Sequence, residues 1–226
     1  MFGLFNFSTE SLMQLLLTVP IMLLALPIHE MAHGWAAYKL GDPTARNLGR
    51  LTLNPLKHLD PIGALCMLVF RFGWAKPVPV SSRNFKKPRR DMALTALAGP
   101  VSNLLLAFLG VLLYNIALFI IIKIDPTSAR GISIADTTLL FFYLFAFYNI
   151  NLALFNLIPV PPLDGSRIFY IFLPPKWYFG IMKYERYIAL ALMVLLYFGI
   201  ISIPLQSLSL AIMNGMDFIV NLIPIF

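Results

Sequence analysis

From Met92 to Ile122 the chain runs for 31 residues without one charged side chain. A helix of that length reaches about 46 Å, well beyond the roughly 30 Å of hydrocarbon in a bilayer. Tyr187 to Ile203 is also uncharged, and apolar runs fill Leu12 to about Tyr38, Asp136 to about Ile158 and Leu205 to Phe226. Within lipid, an isolated segment satisfies its own backbone only as a helix. Composition agrees: 59% of residues are hydrophobic and 12% charged, about half the charged share of a soluble domain. The fold class expected is therefore an all-α polytopic membrane protein with about five to six transmembrane helices.

Proline and glycine punctuate this pattern. Pro20 and Pro27 lie inside the first run and predict a bend or break just before His29. Gly99-Pro100 interrupts the long uncharged run, and PVPPLDGSR stops the fourth apolar stretch abruptly. Pro61 to Phe72 is too short to span and reads as a re-entrant or interfacial segment. Residues 71–91, RFGWAKPVPVSSRNFKKPRRD, are basic and proline-broken. Val78 and Val80 stand two apart there, as in an edge strand or a short membrane-associated hairpin. No internal repeat or appended soluble domain is visible. Residues 1–226 are expected to form one membrane-embedded unit, with a core at about 12–172 and C-terminal helices at about 184–226.

The net charge of +7 does not point to nucleic acid. Of 17 lysines and arginines, eleven fall between Lys39 and Arg90 and four between Arg167 and Arg186, leaving Lys123 and Arg130. Clustering in short loops is the positive-inside pattern. With residues 39–91 in the cytoplasm, 15 of the 17 face inward, which predicts an outside N-terminus. MFGLFNFSTE lacks a basic n-region, so the run from Leu12 reads as a retained span. Cys66 is alone, so no intramolecular disulfide can form.

Against this background "LPIHEMAHGW", residues 26–35, is out of place. A charged side chain at bilayer depth costs at least about 2.5–3.5 kcal/mol, so Glu30 needs a function. On a helix His29 and His33 share one face, one turn apart, and both imidazoles can reach one tetrahedral Zn²⁺. Glu30 lies in the adjacent sector, where it can take a proton from a water polarised by the metal. His29 lies roughly 25 Å along the helix from Leu12, toward the cytoplasmic side under the orientation above. A third protein ligand is required. Asp164 stands in irregular backbone at the end of an apolar run, where it could be that ligand or an N-cap for a helix beginning near Gly165.

These residues together resemble a known family. HEMAH in a membrane span, LAGPVSN in the next long span and NLIPVPPLDG after a further one are similar to the site-2 proteases, over residues 20 to 172. That resemblance implies an intramembrane zinc metalloprotease that acts on transmembrane protein substrates in the cell membrane, with one Zn²⁺ per chain. His29, His33 and Asp164 would be the metal ligands, Glu30 the general base, and Asn156 a donor to the scissile carbonyl. For Asn156 an ordinary interhelical hydrogen bond is the competing reading, since Asn149 and Asn151 share its span. Gly99, Pro100 and Asn103 match the second core motif, which implies close packing and a helix break. There is no room for an inserted PDZ domain or a CBS pair. Lys76, Val78 and Val80 are candidate substrate-pairing residues, because an unwound substrate could add to an extended edge. His58 and Asp60 read as parts of an interfacial loop before they read as accessory metal groups.

Two rival readings remain. One is a membrane-anchored zinc protease acting on non-membrane segments, with Glu185 as third ligand. The other is a metal transporter or membrane scaffold, which would need polar residues across the spans that Met92–Ile122 does not supply with charge.

Overall fold

The computed structural model describes residues 9–63 and 75–223. Its helices are α1 (Thr9–Lys39), the short α2 (Thr44–Asn47), α3 (Pro88–Ile124), α4 (Ala129–Leu157), α5 (Asp164–Phe169), α6 (Pro175–Met182), α7 (Glu185–Tyr197) and α8 (Ser202–Asn221). Four stretches, Leu12–Lys39, Pro88–Ile124, Ala129–Leu157 and Ser202–Asn221, are long and apolar enough to cross a membrane. The protein is thus an all-α, multi-pass membrane protein.

The count of full spans among the described residues is lower than the apolar runs suggested, and α7 accounts for the difference. Its 13 residues reach only about 20 Å. The sequence stays apolar beyond Tyr197, but Gly199 takes φ +76° and turns the chain. Pro204 does not separate the helices; it sits in the first turn of α8, where its missing N–H forfeits no helical hydrogen bond. Most of the segment expected to be re-entrant, Pro61 to Phe72, lies outside the described residues.

The prolines do not break the long helices. α1 is continuous through Pro20 and Pro27, and α3 through Pro100. Each removes one backbone donor, and packed neighbours in a membrane bundle absorb that loss.

α1, α3 and α4 pack side by side. His29 meets Asn103 while His33 meets the Thr95 carbonyl, so α1 and α3 run antiparallel. α3 and α4 are also antiparallel, with Asn103 on Asn149 and Gly110 against Phe145 and Ala146. Small side chains permit this approach. A Cβ on Gly110 would lie 2.9 Å from the Phe145 ring. Ala107, Val111, Ala146 and Ile150 form a buried core with Met213 and Val220 of α8. Ile21 of α1 packs on Leu144 and Phe145. α8 is further tied to α3 by Asn115 Nδ2, which donates to Asp217 Oδ1 at 2.8 Å.

The polar segments between α1 and α3 are pinned to one another. Asp42, fully buried, accepts from Thr44 N at 3.1 Å, Ser81 N at 2.7 Å and Asn84 Nδ2 at 2.7 Å. Burial opposes its charge, yet the hydrogen bonds from Thr44, Asn84 and Ser81 outweigh that and hold its carboxyl below the usual range. Arg50 Nη2 donates to the Lys76 and Pro77 carbonyls at 2.7 and 3.3 Å. Lys76 N donates to His58 O at 2.7 Å beside an antiparallel bridge between Leu59 and Ala75. Among the described residues this bridge is isolated, and no strand or hairpin forms around Val78 and Val80.

Candidate metal centre

His29 and His33 project from successive turns of α1 toward α3, and both are buried. At the point where both rings meet α3, that helix has a glycine. A Cβ on Gly99 would lie 2.3 Å from His33 Nε2 and 2.6 Å from His29 Cε1, so only glycine leaves room for the two rings.

Asp164 reaches them from the other end of the fold. α4 stops at Leu157, and the chain turns through Pro159, Pro161 and Pro162 into α5. Gly165 lies so close to the end of α4 that a Cβ there would be 2.3 Å from the Leu157 carbonyl oxygen. This close approach folds α5 back under the histidines. Asp164 is the first residue of α5, and the cap position falls on Leu163 without a side-chain cap. Its Oδ2 points instead at His29 Nε2, 3.2 Å away, and His33 Nε2, 3.1 Å away.

The two Nε2 atoms are 3.0 Å apart, so three donor atoms form a nearly equilateral triangle. Its edges approach the roughly 3.3 Å edge of a tetrahedron with zinc–ligand distances of 2.0–2.1 Å. Among the described residues His29, His33 and Asp164 are the group of metal-binding side chains that converges in this way. The donor chemistry also fits. His33 Nδ1 sits 2.7 Å from the Thr95 carbonyl and His29 Nδ1 meets Asn103 Oδ1. Those acceptors take the Nδ1 protons and leave bare lone pairs on both Nε2 atoms. Two lone pairs and the Asp164 oxygen, which is buried without a hydrogen-bond donor, face one another. A cation shared by all three is what such a cluster accommodates.

Glu30 lies beside this triangle, and its Oε2 accepts from Val78 N at 2.8 Å. One oxygen is therefore anchored to the 75–80 segment, and Val78 is buried with its N–H already committed. Ala75, Pro77, Val78 and Val80 line a cavity of about 700 Å³ that also contains His29, His33, Glu30 and Asp164. Lys76 is not among the lining residues; its backbone is held by His58 and Arg50. Asn156 is in the cavity wall, with Nδ2 donating to Leu152 O in its own helix at 2.9 Å. The interhelical hydrogen bond considered for Asn156 is made by Asn149.

His58 and Asp60 serve their loop. His58 Nε2 donates to Thr52 O at 2.8 Å, and Asp60 Oδ1 accepts from the N–H groups of Ile62 and Gly63, both at 2.9 Å. Glu185 lines the cavity without joining the donor triangle.

Asn149 and the Val78 N–H carried no signal of their roles in the sequence. Asn103 was visible only as part of a packing motif. The close packing expected at Gly99 is present, while the expected helix break at Pro100 is not.

Comparison with known proteins agrees with this chemistry. Residues 17–202 match the model of Peptidase family M50. Over 155 residues, 68% of this chain and 68% of the relative, the sequence is 46% identical to the protein named Putative zinc metalloprotease YwhC from Bacillus subtilis. It is 30% identical to Putative zinc metalloprotease Rip2 from Mycolicibacterium smegmatis, over 66% of this chain and 54% of the relative. The Rip2 protein of Mycobacterium tuberculosis strain H37Rv is also 30% identical, over 76% and 63%. The aligned part thus spans about half to two thirds of these relatives. No solved structure matches the chain. With the family match covering most of the sequence and a His-His-Asp donor set at its centre, the chain belongs to peptidase family M50 and is a membrane-embedded zinc metalloprotease.

Proposed function

We propose that the protein is an intramembrane endopeptidase, which hydrolyses peptide bonds in or near the transmembrane segments of other membrane proteins. The observation that carries this reading is the cavity. It opens onto His29, Glu30, His33 and Asp164, and its walls are largely aliphatic, with Val19, Met22 and Leu26 from α1, Leu152 from α4 and Leu192 and Leu196 from α7. A water-filled groove for a soluble peptide would not be built from such side chains, whereas an apolar segment leaving the bilayer loses nothing by entering it.

In this reading His29, His33 and Asp164 hold zinc, which when bound supplies the Lewis acidity that acidifies water and polarises a carbonyl. Glu30 takes a proton from the attacking water and returns it to the leaving amine. The Val78 N–H holds one Glu30 oxygen in place and leaves the other for that exchange. Asn156 turns its amide from the Leu152 carbonyl toward the cavity, where it donates to the developing oxyanion. Val80 and the Pro77 to Val78 backbone form the wall along which an extended substrate lies. The commitment of the Val78 N–H to Glu30 limits strand pairing at that residue.

The charge distribution supports an outside N-terminus and a site opening toward the cytoplasmic half. In this reading residues 1–226 work as one unit. Asp164 at the triangle favours this reading over a soluble-substrate protease with Glu185 as ligand. In reconstituted vesicles Glu30→Gln is expected to retain zinc and lose about 10²–10⁴-fold in cleavage of a membrane-embedded substrate. Equal cleavage by both proteins sinks the mechanism; preference for the same peptide free in solution sinks the intramembrane reading.

A further inference from the structure

Behind His29 runs a chain of buried amides that the mechanism above does not use. His29 Nδ1 lies 2.5 Å from Asn103 Oδ1 of α3. Asn103 Nδ2 donates to Asn149 Oδ1 of α4 at 2.9 Å. Asn149 Nδ2 donates to the Phe145 carbonyl one turn back, at 2.8 Å. Asn103 and Asn149 have no exposed surface at all.

Each link in this chain has one workable direction. The Phe145 carbonyl can only accept, so Asn149 must give it an N–H and present its oxygen to α3. Asn103 must then give its own N–H to Asn149 and turn its oxygen toward α1. That oxygen can only accept, so the His29 proton must sit on Nδ1. A neutral imidazole protonated there has its lone pair on Nε2, the atom that faces His33 and Asp164. Reversing any single amide sets two donors or two acceptors head to head, at residues with no exposed surface. His33 receives the same instruction in one step, from the Thr95 carbonyl.

We infer that Asn103 and Asn149 are positioning residues that transmit the polarity of the Phe145 carbonyl across two helices and so fix His29 in its metal-binding tautomer. A free histidine side chain in water favours the other tautomer, so a device of this kind has work to do. This inference rests on the zinc site and not on where substrates are cut.

The test uses the full chain in detergent or nanodiscs, with Zn²⁺ alone as probe in competition with a chelator. Asn149→Leu frees the Asn103 amide to turn, and zinc affinity is expected to fall about 10–100-fold, the range for loss of a partner behind a ligand. Adding Asn103→Asp restores an acceptor that needs no orienting, because either carboxylate oxygen accepts from Nδ1. The double variant is therefore expected to bind zinc within about threefold of wild type. Wild-type affinity in Asn149→Leu overturns the proposal, and so does a double variant as weak as Asn149→Leu. If the variants fail to fold, the wild type alone decides. Nitrogen-15 histidine spectra of the zinc-free protein at mildly alkaline pH are expected to show the His29 proton on Nδ1. A proton on Nε2 overturns the inference without any substitution.

Discussion

The sharpest constraint on any single residue falls on Gly99. Its missing side chain is the space that two imidazoles occupy, and the nearest atom to an added Cβ is His33 Nε2, a corner of the triangle, at 2.3 Å. Gly99→Ala is therefore expected to leave the helix intact, since alanine favours it, while weakening zinc binding about tenfold or more. Metal content after dialysis against a chelator, beside an unchanged far-ultraviolet helical signal, checks both halves. Of the donor triangle, the two histidines were legible in the sequence because i, i+4 spacing is itself a statement about one helix face, and Glu30 was legible beside them as a carboxylate at membrane depth. Asp164 was less legible. Cap and ligand were equal uses of an aspartate before a glycine, and only its orientation in the fold separates them. The asparagines behind His29 were illegible for a further reason. Which asparagine of α4 meets α3 depends on the rotation of one helix against another, and Asn149, Asn151 and Asn156 look alike in one sequence.

At the level of elements, the apolar runs located the long helices well and their ends less well. Hydropathy counts side chains, whereas α7 ends through a backbone event, the positive φ of Gly199. Two fastenings hold these elements in place. Asn115 pairs α3 with Asp217 of α8, so Asn115→Leu deprives a carboxylate of one partner inside an apolar bundle. A stability loss of about 1–3 kcal/mol is expected, read as a lower thermal midpoint with zinc content unchanged. The second fastening is Asp42, which gathers Thr44, Ser81 and Asn84. Its folded-state carboxyl is held below the usual range. Its stabilisation is thus fully present above the unfolded value of about 3.9 and disappears as pH falls through the folded value. Asp42→Asn is expected to melt lower than wild type at pH 7, and the gap to close below about pH 4. A thermal series from pH 7 to pH 3 measures this directly. The hydrogen bonds that pin residues 75–80 were invisible in the sequence, since their partners Glu30, Arg50 and His58 lie far back in the chain, on α1 and in the loop after it.

For the molecule as a whole, the cavity is the feature that links fold to reaction. It is bounded by α1, α4 and α7 together with the 75–80 segment, so its width is a property of their packing. Leu152→Trp adds bulk to the wall one turn before Asn156. It is expected to lower cleavage of a membrane substrate about tenfold while zinc stays bound, because the donor triangle lies on other residues. Comparing turnover with metal content in the same preparation separates the two effects. The arrangement also has a consequence for biogenesis. His29 and His33 leave the ribosome early, but Asp164 follows 131 residues later. At 5–20 residues per second this leaves roughly 7–26 s in which the first helix has two donors and no third. During that interval α1 already carries Glu30, but the triangle beside it is unfinished. A centre whose third donor group is made after three of the spans cannot assemble while those spans are still being made.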